Sequence, residues 1–263
     1  MSGLKIAICV KRDLHGLAVV RQLLPMLGDA QIRIFCSVKT RPDEERDPDL
    51  KLFKALERDF PLDVLAPLSS AFTPPAAAPQ DWTPLPNLLP NDGGAVLADY
   101  APDVVLSIRF SLIFKPWLIE RARLGIINIH PGPLPAYRGL YTPFWQILNS
   151  EQTLGCTVHR VDEGIDTGPI LGYGRLPRDP ARSLFWHITQ IYLSGLPIVA
   201  AQVDHLRNGG SLGGERQPAQ GGDYYKFPTR EDFGRFRAQE GQLVTARDYA
   251  DILSMAYSDR PVR

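Results

Sequence analysis

Three short runs constrain this chain more than anything else in it: Lys5–Val10 (KIAICV), Ile32–Val38 (IRIFCSV) and Asp103–Ile108 (DVVLSI). All three read as β-strands, and Asp103–Ile108 has the β-rich composition of a buried central strand. Stretches of helical spacing separate them: Gly16–Leu27, Asp49–Leu56 (DLKLFKAL) and Gly94–Tyr100. Strands alternating with helices predict an α/β protein built on an open, mostly parallel sheet. The pattern continues with strands at Leu124–Asn128, Gly155–Val161 and Ile170–Leu176, a short helix at Phe144–Asn149 and a long amphipathic helix at Ser183–Arg207.

Two segments break the pattern. Pro61 to Pro90 holds eight prolines, so a regular helix or central strand is not expected there and the segment reads as a surface excursion. After Asn208 the composition turns to Gly, Gln and charge, with aromatic islands at Tyr224-Tyr225 and Phe233. The expected organisation is therefore a catalytic domain over residues 1–208 and a C-terminal extension over 209–263, the latter also a candidate homodimer surface.

Charge and cysteine content exclude several classes of function. Twenty-nine Lys and Arg balance twenty-nine Asp and Glu, leaving no net field to draw in nucleic acid or anionic membrane. Cys9, Cys36 and Cys156 are odd in number and widely spaced, so they read as reduced core residues of a cytoplasmic protein. No N-terminal signal-like run and no apolar stretch near 18 residues is read in the chain, so neither secretion nor a membrane span is expected. No His, Cys or acidic cluster has metal-site spacing, and no metal is predicted.

Chemistry concentrates in two places, Asn128-Ile129-His130-Pro131 and Asp162-Glu163-Gly164-Ile165-Asp166-Thr167-Gly168-Pro169. Residues i and i+2 of an extended segment share a face, so Asn128 and His130 can point into one pocket while Ile129 faces the core. An amide and an imidazole can donate hydrogen bonds to an oxygen that gains negative charge, and a carboxylate can orient the imidazole and relay a proton. Asp166 is the carboxylate, in a loop whose Gly164 and Gly168 permit close backbone approach. By spacing alone, an Asn-x-His after a strand is more often a turn with a satisfied histidine.

The blocks INIHPGPLPAYRG (127–139) and GCTVHRVDEGIDTGP (155–169), in this order and separation, resemble the core of the folate-dependent formyltransferase family. That family includes glycinamide ribonucleotide transformylase, methionyl-tRNA formyltransferase and small-molecule N-formyltransferases. The resemblance implies a Rossmann-like twisted sheet, N10-formyltetrahydrofolate as donor, and a catalytic trio falling on Asn128, His130 and Asp166. It also implies a folate pocket formed by Leu106, Leu112, Ile113, Phe114, Ile119, Ile126 and Val161, Asp162, Glu163, Gly164 and Ile165. For Leu106 and Ile126 core packing is an equal reading. Leu134-Pro135 resembles a family turn whose proline is often cis.

Departures narrow the acceptor. Lys11-Arg12-Asp13-Leu14-His15-Gly16 stands where the ribonucleotide transformylase carries a glycine-rich phosphate loop, so a backbone cradle is missing. Lys11 and Arg12 read as either an anion contact or a solvated turn. Residues 209–263 are short for a tRNA-binding barrel and nearly balanced in charge. The expected acceptor is a small-molecule amine or hydroxylamine, such as an amino-sugar nucleotide or a siderophore precursor, bound by Tyr137, Arg138 and Tyr141. Methionyl-tRNA formylation and formyltetrahydrofolate hydrolysis are the alternatives. His159 reads as a supporting histidine, and Tyr224–Thr229 as either a cap on the acceptor pocket or packing.

Overall fold

The computed structural model of the chain describes residues 3–38, 42–65, 82–218 and 222–257. Its first part lays down β1 (Lys5–Lys11), α1 (Leu14–Leu23), β2 (Gln31–Ser37), α2 (Pro48–Lys54) with a π-helical continuation over Ala55–Leu65, and β3 (Thr83–Leu85). The middle adds α3 (Gly93–Asp99), β4 (Val104–Ile108), α4 (Pro116–Ile119), β5 (Ile126–His130), β6 (Tyr137–Gly139), α5 (Thr142–Leu148), β7 (Thr153–Arg160) and β8 (Ile170–Pro177). Next come α6 (Leu184–Arg207), β9 (Asp223–Tyr225), α7 (Arg230–Ala238) and α8 (Ala246–Tyr257).

Seven strands form one sheet in the order β3-β2-β1-β4-β5-β7-β8. It is parallel from β3 through β5 and antiparallel from β5 through β8, so the expected mostly parallel Rossmann-like sheet is what forms. The chain builds outward from β1 to β2 and β3, then returns to place β4 on the other side of β1. That reversal creates a crevice at the carboxyl ends of β1 and β4, where open α/β sheets bind ligands.

Strand β1 is buried on both faces, and its alternation explains why. Ile6, Ile8 and Val10 pack with α1, α6 and α8, while Ala7 and Cys9 face a smaller layer containing Phe35, Leu97 and Leu118. Each fully buried aliphatic side chain contributes roughly 1.5–3 kcal/mol relative to exposure. All three cysteines are free and buried.

Three expectations need correction. Helix α6 is long and apolar enough to cross a membrane, contrary to the expectation that no such stretch exists. Its apolar face, including Phe185, Ile191, Val199 and Val203, is instead buried in the core against β7 and β8. The polar residues spaced through it masked how apolar the helix is as a whole. The proline-rich region does contain regular helix, since the π-helical segment runs through Pro61. It also contains an edge strand, β3, which tolerates Pro84 because its outer side has no partner; residues 66–81 lie outside those described. Strand β5 runs two residues past its expected end at Asn128, so His130 lies within the strand as well.

The C-terminal segment packs on the same core. Phe233 and Phe236 of α7 lie 5.1 and 4.9 Å from the ring of Phe144. Asp248 of α8 accepts from the Ser183 backbone N–H at 2.7 Å, holding the start of α6.

Burial lowers the pKa of His15, His159 and His187 below the ordinary imidazole value of 6.5. The unfolded chain therefore binds more protons than the folded one below that pH. Stability is fully present above about 6.5 and declines as pH falls toward the depressed folded values. Urea midpoints measured between pH 8 and 5 should fall with acid at constant slope.

Candidate active site

A cavity of about 320 Å³ opens at the carboxyl ends of β4 and β5, and Asn128, His130 and Asp166 all line it. Ile129, between the first two, belongs to the main core, as strand alternation requires.

His130 is 4% exposed and both its ring nitrogens are accounted for. Nε2 lies 2.5 Å from the Tyr137 carbonyl oxygen, which can only accept, so Nε2 carries a proton. Nδ1 is left facing Asp166 Oδ2 at 3.4 Å, and the Gly139 N–H also donates to that oxygen at 3.4 Å. The loop ahead of Tyr137 is fixed by the buried Thr157 hydroxyl, which donates to the Gly132 carbonyl and accepts from the Leu134 N–H. The Leu134–Pro135 peptide is cis.

Asn128 sits opposite His159 in the antiparallel β5–β7 register. His159 Nδ1 donates to the Arg160 carbonyl at 2.9 Å, which leaves Nε2 as an acceptor for the Asn128 amide at 3.0 Å. Burial lowers the His159 pKa, against the opposing pull of Asp166, and the neutral imidazole this favours is the form that accepts. One amide hydrogen of Asn128 is thereby spent on His159, and the second remains for a ligand.

Asp166 takes a left-handed conformation, φ 55°. Its loop closes tightly, because a Cβ on Gly168 would stand 1.8 Å from the Arg160 carbonyl oxygen. Within the loop the Asp162 carboxylate accepts from Thr167 Oγ1 and the Gly164 N–H. Outside it, Gln217 Nε2 donates to the carbonyls of Asp166 and Gly168 at 3.0 and 2.8 Å. Gln217 sits in a polar run without periodicity, and no sequence pattern marks it. Gln217→Ala should lower catalytic turnover about tenfold with little change in melting temperature, read from steady-state kinetics beside calorimetry.

Of the residues implied for folate, Leu112, Ile113, Phe114, Val161, Asp162, Gly164 and Ile165 line the cavity. Leu106 and Ile126 are buried in the two core layers, Ile119 packs against the second, and Glu163 is exposed outside the lining. Of the residues expected at the acceptor, Tyr141 lines the cavity. Tyr137 instead stacks on Tyr225 at 5.2 Å and donates to Glu151. Arg138 donates to Gln217.

Beyond the trio, the wall continues with Glu44, Arg109, Tyr192, Tyr224 and Phe227. Arg109 follows β4 with φ 55° and Tyr141 precedes α5 with φ 54°, so three left-handed non-glycine residues, Asp166 included, face this cavity. Tyr224 is carried by β9, which pairs in parallel with β6. A Cβ at Gly139 of β6 would meet the Tyr225 carbonyl oxygen at 2.2 Å, so the pairing depends on glycine.

Lys11, at the end of β1, is held in an ion-pair cluster rather than standing free for an anion or for solvent. Asp13 caps α1 through its Oδ1, which accepts from the Gly16 N–H at 2.6 Å, occupying the place a phosphate would take. Lys11 Nζ lies 3.5, 3.8 and 3.6 Å from Glu57, Asp13 and Glu44. Arg109 pairs with Asp13 at 2.8 Å and Glu57 at 3.4 Å. Burial works to raise the Glu57 pKa, but Lys11 and Arg109 together hold it well below the carboxylate range.

A mostly parallel α/β sheet thus brings an amide, an imidazole and a carboxylate together at its strand ends, a set able to bind a carbonyl oxygen and move a proton. Residues 68–183 match the family model described as Formyl transferase. It is 34% identical over 115 residues to a methionyl-tRNA formyltransferase of Synechococcus sp. (strain JA-3-3Ab), over 44% of this chain and 36% of the relative. It is 38% identical over 91 residues to a GDP-perosamine N-formyltransferase of Brucella melitensis, over 34% of this chain and 35% of the relative. These matches span about a third of the length of the curated relatives. An N-formyltransferase from Helicobacter canadensis, solved with folinic acid and dTDP-3-aminofucose, shares the fold with TM-score 0.52. It is 19% identical, over 87% of this chain and 72% of its own.

Proposed function

We infer that the chain transfers a formyl group from N10-formyltetrahydrofolate to an amine or hydroxylamine of a small-molecule acceptor. The observation that carries this reading is the convergence of Asn128, His130 and Asp166 on one cavity, with His130 Nδ1 turned to both Asp166 and the open space. The apolar slot of Leu112, Ile113, Phe114, Val161 and Ile165 beside them fits a pterin ring.

In this reading the acceptor nitrogen bonds to the formyl carbon while charge builds on the formyl oxygen. The free N–H of Asn128 and protonated Nδ1 of His130 donate to that oxygen. Asp166 receives the proton leaving the amine, directly or through one water, and the bond from formyl carbon to N10 breaks as N10 takes a proton. One proton moves from acceptor to donor nitrogen, so the exchange balances. Asp13 in the phosphate position speaks against a ribonucleotide acceptor, and the balanced charge favours a small molecule over tRNA. In this reading the reaction belongs to cytoplasmic one-carbon biosynthesis, and a homodimer through the C-terminal extension is testable by sedimentation.

Incubation with N10-formyltetrahydrofolate and a panel of amines should yield a formamide by mass spectrometry together with stoichiometric tetrahydrofolate. Tetrahydrofolate released with formate, at a rate independent of amine, would replace transfer with hydrolysis.

A further inference from the structure

The buried charges behind the acceptor wall do not balance. Among the described residues the cluster holds two cations, Lys11 and Arg109, against three carboxylates, Asp13, Glu44 and Glu57. His15, buried with Nδ1 against Thr189 and Nε2 3.4 Å from Glu57, is kept neutral by burial. A buried carboxylate without a counter-charge is costly, and a bound cation removes the cost.

The oxygens show which carboxylate is in surplus. Both oxygens of Asp13 are engaged, one by the Gly16 N–H and one by Arg109. Glu57 directs Oε2 to Lys11 and Arg109 and Oε1 to His15. Glu44 has Oε1 3.6 Å from Lys11, while its Oε2 is buried with no hydrogen-bond partner. Glu44 is 8% exposed and lines the cavity. Tyr141, which feels the Glu44 charge, lines the same cavity with Tyr192, Tyr224 and Phe227, and the Tyr141 and Phe227 rings are 5.2 Å apart. A carboxylate among aromatic rings recognises a cation through charge and through the ring faces. The cation on Arg109 is already consumed by Asp13 and Glu57, and its guanidinium lies over the Tyr192 ring at 5.4 Å.

We propose that this end of the cavity is a cation subsite built on Glu44, and that the acceptor carries a positively charged group besides the nitrogen that is formylated, as a diamine or a basic amino acid does. The proposal deepens the reading of the chain as a formyltransferase and rests on it for the word acceptor. It assigns Glu44 as the residue that selects such an acceptor over one ending in an alcohol or an acid.

The test uses the full chain with tetrahydrofolate present and three probes of equal length: 1,4-diaminobutane, 4-amino-1-butanol and 4-aminobutyrate. Calorimetry should show the diamine binding at least about tenfold tighter than either other probe. Glu44→Gln should bring the three within about threefold of one another, and Phe227→Leu, which leaves the charges in place, should weaken the diamine alone by about threefold. Equal binding of the three probes, no detectable diamine binding, or a preference unchanged by both variants would overturn the proposal. The same probes assayed with N10-formyltetrahydrofolate separate the two readings. Diamine selectivity without any formamide leaves the subsite standing and removes the transferase reading, whereas formamide formation without selectivity does the reverse.

Discussion

Asp166→Asn is expected to reduce formyl transfer by about 10²- to 10⁴-fold while leaving donor affinity within a few-fold. The asparagine keeps the size of the side chain and its place against Gly139, but it cannot take up a proton and offers His130 Nδ1 no negative charge. The loop is held from outside by Gln217 and from within by Asp162, so the backbone should not move. Single-turnover kinetics with saturating donor check this, and retention of more than a tenth of the parent rate would remove Asp166 from proton transfer.

Phe144→Ala should destabilise the protein by about 3–5 kcal/mol. Phe144 is fully buried, and its ring is the meeting point of Trp145, Phe233 and Phe236. Truncating it opens a cavity between α5 and α7, and the surrounding aromatic rings are too rigid to collapse into the space. Urea denaturation followed by far-ultraviolet circular dichroism measures the loss, and a drop below about 1 kcal/mol would mean that the C-terminal helices are not anchored there.

The sheet was legible because buried strands announce themselves locally. Lys5–Lys11 and Val104–Ile108 need β-branched residues on both faces, and that demand is written in consecutive letters. Asn128 and His130 were legible for a related reason, since strand alternation alone puts them on one face. What escaped was held by contacts remote in sequence. Glu44 lies in a charged run that looks solvated, yet the residues that bury it come from β1 and the cavity wall. Tyr192 is an ordinary interior position of a long helix. His15 had no visible partner because Thr189 is 174 positions away. Helices α7 and α8 were passed over because their polar surface outweighs a narrow apolar stripe, although Phe233, Phe236 and Ile252 sit deep in the core. The tail aromatics divide the two roles considered for them: Tyr225 packs on Tyr137 and Trp145, and Tyr224 and Phe227 line the cavity.

The β6–β9 pairing gives the two ends of the cavity separate ancestry in the chain. The slot of Leu112–Phe114 with Val161, Asp162, Gly164 and Ile165 is cut from loops of the large sheet, whereas Tyr224 of β9 and Phe227 just beyond it are lent by a segment that arrives after α6. Rewriting residues 222–227 with the backbone pairing kept should therefore alter which molecule is modified and spare the handling of the one-carbon unit. On the proposed function, the segment is an exchangeable cassette beside a reaction centre that the rest of the chain supplies.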